Sequence, residues 1–308
     1  MSSSSPRVVS LLPSATEIVC ALGGREWLVG VSHECDYPAG VGELPSLTRP
    51  RVELGSTSIA IDRAVREIAR TALSIYEIDL ERLRAVRPDI IVTQDLCDVC
   101  AVSFDEVCAA VRDVLGGSAT VIRLQPARLG EILDDIERVG QSLGRDATAV
   151  IAGLEARIAA VERRASGAER PSVATVEWTE PVMLGGLWTA ELVHRAGGIS
   201  LGPTTGEKSV AIERAQLEVM APEVVLIKPC GYDLERAQQE LEVLRRTLPW
   251  DDWPAVRHGR VYVTDGNAYF NRPGPRIVDS LEILAACVHP ERFAEEARRY
   301  DAVLRRIS

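Results

Sequence analysis

Short runs of apolar, often β-branched residues recur along the chain between turn and helix signals. Such runs are typical of strands that are buried on both faces of a parallel sheet. The pattern predicts a first group of strands before residue 126 and a second group after residue 168. They are Val8–Leu12, Leu28–Ser32, Ile90–Thr93 and Thr120–Leu124, then Ser172–Glu177, Val224–Ile227 and Arg260–Val263.

Two pairs of similar segments, called echoes here, relate the halves of the chain. Residues 83–92 match residues 217–226 in type: the end of a short helix, a proline, an acidic residue and an apolar run. Residues 16–24 and 190–198 both indicate a helix closed by a Gly pair, as a C-terminal cap requires. The order of the echoes predicts two lobes with related strand–loop–helix plans.

A helical pattern lies between the two groups of strands. Apolar residues recur at steps of three and four from Leu129 to Val161, which would span about 45 Å as one helix. Gly140, Gly144 and Gly153 allow a bend or a break. The expected fold is α/β, with a mostly parallel sheet flanked by helices in each lobe and one long backbone helix joining them. The lobes are residues 1–126 and 169–308, and the linking helix falls in residues 127–168.

Composition narrows the partners and the compartment. The 308 residues carry a net charge of −10, which argues against nucleic acid and anionic membrane surfaces. No apolar run reaches the ~18 residues of a membrane span. The polar start Met1–Ser5 leads directly into the first predicted strand and shows no secretory signal. We therefore expect a cytoplasmic protein without direct membrane insertion, whose seven cysteines are free thiols or metal ligands.

In parallel α/β sheets, ligands bind beyond the carboxyl ends of the strands, so the loops after the predicted strands are the candidate sites. Ser14 and Glu17 have the spacing of a capping box at a helix N-terminus. That terminus could receive an anionic group, or Ser14 could be a cap and nothing more. His33 lies after the second strand, and Gln94 lies at the end of the third.

The loops of the second lobe are rich in aromatic side chains, although aromatics are only 5% of the chain. Rings among Asn, Gly, Pro and Glu indicate the walls of a site for a large flat ligand. Alternatively, they fill the interface of the lobes. They are Trp178, Trp188, Tyr232, Tyr269 and Phe270.

Cysteines form the other candidate constellation. Cys35, the Cys97-x-x-Cys100 pair and Cys230 fall in three loops after strands. Four thiolates can complete the coordination of zinc or an iron–sulfur cluster. A redox or enzymatic role for this set stays open. Cys20, Cys108 and Cys287 are expected on apolar helix faces, as small core residues.

Recognisable catalytic motifs are missing from the sequence. It contains no Gly-x-Ser-x-Gly elbow, no phosphate-binding loop ending in Lys-Ser/Thr and no His-Glu-x-x-His. A nucleophile pairing of Cys35 or Cys97 with His33 is possible, but no third orienting residue is evident. The sequence favours a binding protein over an enzyme.

Several segments together resemble the substrate-binding proteins of vitamin B12 and iron-chelate ABC importers, including a cytosolic branch described as cobalamin-binding. The resemblance covers nearly the whole chain. Its motifs are Ser10-Leu-Leu-Pro-Ser-Ala-Thr-Glu17, Val29-Gly-Val-Ser32, Cys35-Asp-Tyr-Pro38, Asp79-Leu-Glu-Arg-Leu83, Arg87-Pro-Asp-Ile-Ile-Val92 and Phe270-Asn-Arg-Pro-Gly-Pro-Arg276.

The resemblance implies a corrinoid or other metal chelate held between two lobes that move little, and an ABC-importer permease as a partner. It places Pro13, Ser14, Tyr37, the Ile75–Tyr76 region and Tyr269 at the ligand. Tyr269 stands where the family has a Trp. Two departures are the lack of an export signal and the presence of the cysteine set.

Three hypotheses follow: a binding protein for cobalamin or a related chelate, a metal or iron–sulfur protein, and a receptor relic that binds neither. The expected ligand-binding residues are Pro13, Ser14, His33, Tyr37, Tyr76, Gln94, Trp178, Trp188, Tyr232, Asn267, Tyr269, Phe270, Asn271 and Arg272.

Overall fold

Short buried strands and the helices between them dominate this computed structural model. It describes residues 5–51, 57–70, 75–94 and 103–307. The chain divides into two compact units. The N-terminal unit contains residues 1–126 and 130–152, and the C-terminal unit contains residues 127–129 and 153–308.

The N-terminal unit is built on a parallel sheet of four strands in the order β2-β1-β5-β6. A small antiparallel pair, β3 and β4, lies outside that sheet. The strands are β1 (Val8–Ser10), β2 (Leu28–Val31), β3 (Thr48–Pro50), β4 (Tyr76–Ile78), β5 (Ile90–Gln94) and β6 (Thr120–Leu124). The helices are α1 (Pro13–Ala21), α2 (Ser58–Arg70), α3 (Leu80–Val86), α4 (Phe104–Leu115) and α5 (Leu129–Leu143). α6 (Thr148–Ala165) begins here and continues into the C-terminal unit.

The C-terminal unit is built on a mixed sheet of six strands. Its path is β12-β11-β10-β7-β8, with β9 added to β7, and β7, β10 and β11 are parallel. The strands are β7 (Ser172–Thr179), β8 (Val182–Leu184), β9 (Ile199–Ser200), β10 (Val224–Ile227), β11 (Val261–Thr264) and β12 (Leu304–Ile307). The helices are α7 (Thr189–Arg195), α8 (Arg214–Val219), α9 (Leu234–Gln239), α10 (Leu241–Thr247), α11 (Pro254–Arg257), α12 (Ile277–Val288) and α13 (Ala294–Arg299).

The apolar runs form the centres of the two cores, as the pattern predicts. Val8, Val9 and Ile91 are fully buried in the N-terminal sheet, and all of β10 is fully buried in the C-terminal sheet. Each run is apolar on both faces of the pleat because helices cover both faces of a parallel sheet. The predicted α/β fold with mostly parallel sheets is confirmed.

The prediction of one long linking helix is wrong in this detail, because the pattern from residue 129 to 161 forms two helices, α5 and α6. The break falls at Gly144, whose φ of +64° is a left-handed conformation that L side chains rarely adopt. Gly140 and Gly153, the other glycines of the pattern, lie inside helices. Within the described residues, no helix combines the length and the apolar character needed to cross a membrane.

Candidate functional site

The first candidate surface lies where β1, β2 and β5 of the N-terminal unit end. The last residue of β2 pairs with the segment before β3, because Leu47 donates to the Val31 carbonyl oxygen at 2.8 Å. This pairing brings the start of β3 beside residues 32–34. In the β3–β4 register, Thr48 pairs with Ile78 and Pro50 pairs with Tyr76. The small antiparallel pair therefore places Thr48 and Tyr76 next to the loop after β2.

Hydrogen bonds connect that loop to β3 and β4. The His33 backbone N–H and Nδ1 both lie within hydrogen-bond distance of Thr48 Oγ1, at 3.1 and 2.7 Å. Thr48 Oγ1 donates to Ser32 Oγ at 3.0 Å, and the Tyr76 hydroxyl donates to Glu34 Oε1 at 2.6 Å. The Tyr76 ring meets the His33 ring edge to face, with centroids 4.8 Å apart. Neighbouring protein atoms partly desolvate the accessible His33 ring and lower its pKa, and the Glu34 charge opposes this shift.

The predicted N-terminal ligand residues differ in accessibility. Tyr37 and His33 are exposed and Pro13 is half-buried, whereas Ser14, Tyr76 and Gln94 are buried. The predicted capping box of Ser14 and Glu17 is wrong. Leu12 is the N-cap of α1 and Pro13 takes the first helical position, where a missing N–H costs nothing. Ser14 lies one residue further along α1 and its Oγ has no partner among the described residues.

The predicted cysteine set is only partly within the described residues, because Cys97 and Cys100 lie outside them. Cys35 is buried, packs against Val31 and Val41, and has its Sγ 3.1 Å from Thr16 Oγ1. Cys230 is half-buried in the loop after β10. Among the described residues, no three His, Cys, Asp or Glu side chains are grouped to hold a metal ion. The four-cysteine site stays a prediction.

The second candidate surface lies at the carboxyl ends of β7, β10 and β11 in the C-terminal unit. Lys228 directly follows β10 and is fully buried, with its Nζ 2.6 Å from Glu177 Oε2. Ser209 Oγ donates to the other oxygen, Glu177 Oε1, at 2.5 Å, and accepts from the Gly186 N–H at 2.9 Å. This network ties together the ends of β7 and β10, the Gly185-Gly186 turn and the segment before α8.

The loop after β11 packs tightly against the same network. A Cβ on Gly266 would lie 2.1 Å from the Pro229 carbonyl oxygen, so only glycine permits this approach of two loops. Phe270 is buried with a φ of +66°, and its ring lies 5.7 Å from the Lys228 ammonium. The Trp188 indole N–H donates to the Phe270 carbonyl oxygen at 2.8 Å. The loop after β11 is thereby packed against Lys228, Pro229 and Trp188.

The aromatic residues predicted for this lobe have two different roles. One group is buried and packs beneath the candidate surface. It consists of Trp188, Tyr232, Phe270 and the guanidinium of Arg272. Tyr269 and Trp178 are half-buried, as are the amides Asn267 and Asn271, so these four residues reach the surface of the unit. The Trp178 ring packs on Tyr232 with centroids 5.4 Å apart.

Tyr269 is held on two sides. The Tyr300 ring meets it edge to face at 6.2 Å, and the Arg276 guanidinium lies 5.4 Å from its centroid. Burial raises the pKa of the Tyr269 hydroxyl, so the ring is neutral at physiological pH. A neutral ring with fixed neighbours and an accessible part of its surface is suited to contact with a flat apolar group.

The sequence pattern missed Lys228, Glu177 and Thr48 as organising residues. The sequence contains a pattern that could have identified Lys228, because this lysine directly follows the apolar run that forms β10. A cation at the end of a buried strand needs a partner of opposite charge. No local signal identifies Thr48. Its hydroxyl reaches His33 only because β3 pairs beside the end of β2.

Two α/β units, each with polar and aromatic loops at the carboxyl ends of parallel strands, define a binding protein of the α/β class. The comparisons with known proteins agree. The family model described as periplasmic binding protein matches residues 8–268, so the chain belongs to the periplasmic binding protein family.

Relatives of known sequence match over most of their length. The chain is 21% identical over 295 residues to an uncharacterized ABC transporter substrate-binding lipoprotein, YvrC, of Bacillus subtilis (strain 168), covering 94% of this chain and 82% of that protein. It is 23% identical over 294 residues to the vitamin B12-binding protein of Vibrio parahaemolyticus, covering 92% of this chain and 89% of that protein.

Solved structures share the fold. The periplasmic heme-binding protein RhuT from Roseiflexus sp. RS-1, in its apo form, superposes with a TM-score of 0.70 at 22% identity, covering 94% of this chain and all of that one. The periplasmic vitamin B12-binding protein BtuF of Vibrio cholerae gives a TM-score of 0.63 at 19% identity, covering 92% and 96%.

The expected cytoplasmic location is wrong. The family is one of periplasmic binding proteins, and the relatives include a lipoprotein and proteins described as periplasmic. The prediction relied on the first residues of the chain. A targeting segment is not part of the folded domain, so the folded sequence carries no record of the compartment.

Proposed function

We propose that this chain is the substrate-binding protein of an ABC importer and that its cargo is cobalamin or a related metal-containing tetrapyrrole. The importer assignment is supported by family membership and by the substrate-binding lipoprotein among the relatives. The cargo class is supported by the vitamin B12-binding relative and by the fold shared with B12- and heme-binding proteins.

The observation that carries the cargo proposal is the setting of Tyr269. A corrin or porphyrin presents a broad flat face, and a fixed aromatic ring gains contact area there without losing much side-chain entropy. Tyr269 is held by Tyr300 and Arg276, while Asn267 and Asn271 lie within two residues on the same loop. Amide groups are suited to the polar substituents at the rim of such a macrocycle.

Titration of the purified chain with cobalamins and with ferric protoporphyrin tests this proposal. Binding is followed by calorimetry and by the visible spectrum of the ligand. We expect dissociation constants well below ~100 μM, the range of a specific small-molecule receptor. Binding of protoporphyrin without cobalamin would exclude the corrinoid and keep the cargo class. If no tetrapyrrole binds at ~100 μM, the proposed cargo is wrong.

Substitution of Tyr269 tests whether its aromatic ring contributes to ligand affinity. Tyr269→Ala should weaken binding ~10-fold or more, the effect of removing a central aromatic contact. Tyr269→Phe keeps the ring and should bind within ~3-fold of the original chain, because ~0.6 kcal/mol covers the lost hydroxyl at a partly exposed position. Val219→Ala, at a residue that is 83% exposed on α8, is the control. Equal affinities for the Ala and Phe variants would contradict a role for the ring.

Tyr37→Ala tests the N-terminal unit independently. Tyr37 is 47% exposed, so its loss should leave the stability of that unit nearly unchanged. A loss of affinity without a change in the free energy of unfolding would assign the side chain to the ligand.

A further inference from the structure

His33 lies on the surface of the N-terminal unit, directly beyond the carboxyl end of β2. Its side chain is exposed, yet its position is well defined. Thr48 Oγ1 lies 3.1 Å from the His33 backbone nitrogen and 2.7 Å from Nδ1. The Tyr76 ring is 4.8 Å away at an interplanar angle of 66°, and Tyr76 is itself anchored through its hydroxyl to Glu34. The imidazole is therefore oriented on two sides.

We assign the proton positions of this network from the donor direction between the Thr48 and Ser32 hydroxyls. Thr48 has one hydroxyl proton, and it is donated to Ser32 Oγ at 3.0 Å. Thr48 Oγ1 can then only accept from His33, and its two lone pairs match the backbone N–H and Nδ1–H. A neutral imidazole protonated at Nδ1 carries its lone pair on Nε2. Nε2 has no partner among the hydrogen bonds and ion pairs of the described residues.

We propose that His33 Nε2 is an axial ligand to the metal of the bound chelate. A metal already held by a macrocycle needs only one further donor, so a single oriented nitrogen is sufficient. Metal-binding histidines commonly donate the other ring N–H to a protein acceptor, which fixes the tautomer and the direction of the lone pair. Thr48 provides that acceptor. This inference rests on the proposed function, because the metal arrives only with the cargo.

The ligation step is a simple exchange. With a cobalt(III) corrinoid that carries water at one axial position, the Co–O bond breaks, water leaves, and a Co–N bond to His33 Nε2 forms. No electron is transferred, and no proton leaves the imidazole because Nε2 carries none. A corrinoid whose exchangeable position is occupied by cyanide should not undergo this step.

The visible spectra of bound aquacobalamin and bound cyanocobalamin test the proposal. Bound aquacobalamin should show the spectral change of water replaced by imidazole, and cyanocobalamin should not. His33→Ala should abolish the change and weaken aquacobalamin binding ~10-fold or more, with less than ~3-fold effect on cyanocobalamin. Added free imidazole should restore the change in this variant. His258→Ala, at an exposed histidine of the C-terminal unit, should behave as the original chain.

Each other outcome overturns the inference in a recognisable way. If aquacobalamin binds equally well with an unshifted spectrum, with or without His33, axial ligation is wrong and the proposed function stands. If no corrinoid and no ferric protoporphyrin binds, the proposed function fails and the inference fails with it.

A measurement without cargo tests the tautomer. Nitrogen-15 NMR of the imidazole should show His33 protonated at Nδ1, and Thr48→Val should abolish this preference. A proton on Nε2 in the original chain would contradict the inference directly.

Discussion

Lys228 is a cation without access to solvent, and its position is explained by the two carboxylate oxygens of Glu177. One oxygen accepts from Nζ and the other accepts from Ser209. An isolated buried ammonium would be strongly unfavourable, so the pair is required once Lys228 is buried. The same contacts join the ends of β7 and β10 to the segment before α8. The Lys228 ammonium of this pair also lies 5.7 Å from the Phe270 ring on the loop after β11.

Glu177→Gln should therefore destabilise the chain by ~3 kcal/mol, because it leaves a buried cation beside a neutral partner. Denaturant unfolding measures this free energy. Glu235→Gln, at an exposed glutamate on α9, is the matched control and should stay within ~0.5 kcal/mol. The double variant Glu177→Gln with Lys228→Met should be more stable than Glu177→Gln alone. A double variant that is less stable would show that the charge pair is not the cause.

The titration of Asp135 predicts how the stability of the folded chain changes with pH. Burial raises its pKa to about 6 despite the nearby Arg138, and its Oδ2 has no partner among the described residues. The folded state therefore favours the protonated form. The stability from this preference is fully present below the ordinary pKa of 3.8 and is lost as pH rises through about 6.

Asp135→Asn keeps the shape of the protonated acid and removes its titration. Relative to the original chain, this variant should become more stable as pH rises from ~3.5 to ~7, by at most ~3 kcal/mol. Unfolding of both proteins at several pH values measures the difference, in which the other carboxylates cancel. A difference that does not change with pH would contradict the raised pKa.

The break between α5 and α6 shows how one residue ends an element. Arg145 donates its backbone N–H to the Gly140 carbonyl oxygen at 2.8 Å, which closes the last turn of α5, and Gly144 supplies the left-handed conformation. Gly153 in the interior of α6 has no such constraint, since nothing lies within 4 Å of a Cβ placed on it.

These two glycines form a matched pair for mutation. Gly144→Ala should cost ~1 kcal/mol of stability, because alanine is strained at this φ. Gly153→Ala should instead stabilise the chain by ~0.5–1 kcal/mol through higher helix propensity. Thermal or denaturant unfolding gives both values. Equal effects of the two substitutions would indicate that backbone conformation does not decide where α5 ends.

For the molecule as a whole, family membership shows that the candidate loops of both units belong to a binding protein. The periplasmic binding protein match spans residues 8–268, so both units belong to one binding protein. The cytoplasmic prediction, by contrast, could be corrected only by comparison with the relatives. The packing of the cores does not depend on the compartment.

Much of the architecture was predictable from the sequence, because strand burial and helix ends are local properties. The apolar runs, the proline that follows each of α3 and α8, and the Gly pairs after α1 and α7 predicted the sheets and the related plan of the halves. The break at a glycine of the linking pattern was also foreseeable, since the residue type limits φ. β3 and β4, with three residues each, lack a pattern long enough to detect.

The chemistry of the candidate sites depends on contacts between distant segments, and only the tertiary structure decides these. Sequence motifs named His33, Tyr76 and Tyr269, but not Thr48, whose hydroxyl oxygen lies 2.7 Å from His33 Nδ1, or Glu177, which pairs with Lys228. A hydrogen bond is specified by position within about an ångström, and local patterns carry no such information. Candidate ligand-binding residues can thus be predicted along the chain, whereas the groups that orient them become evident only when the strands pair.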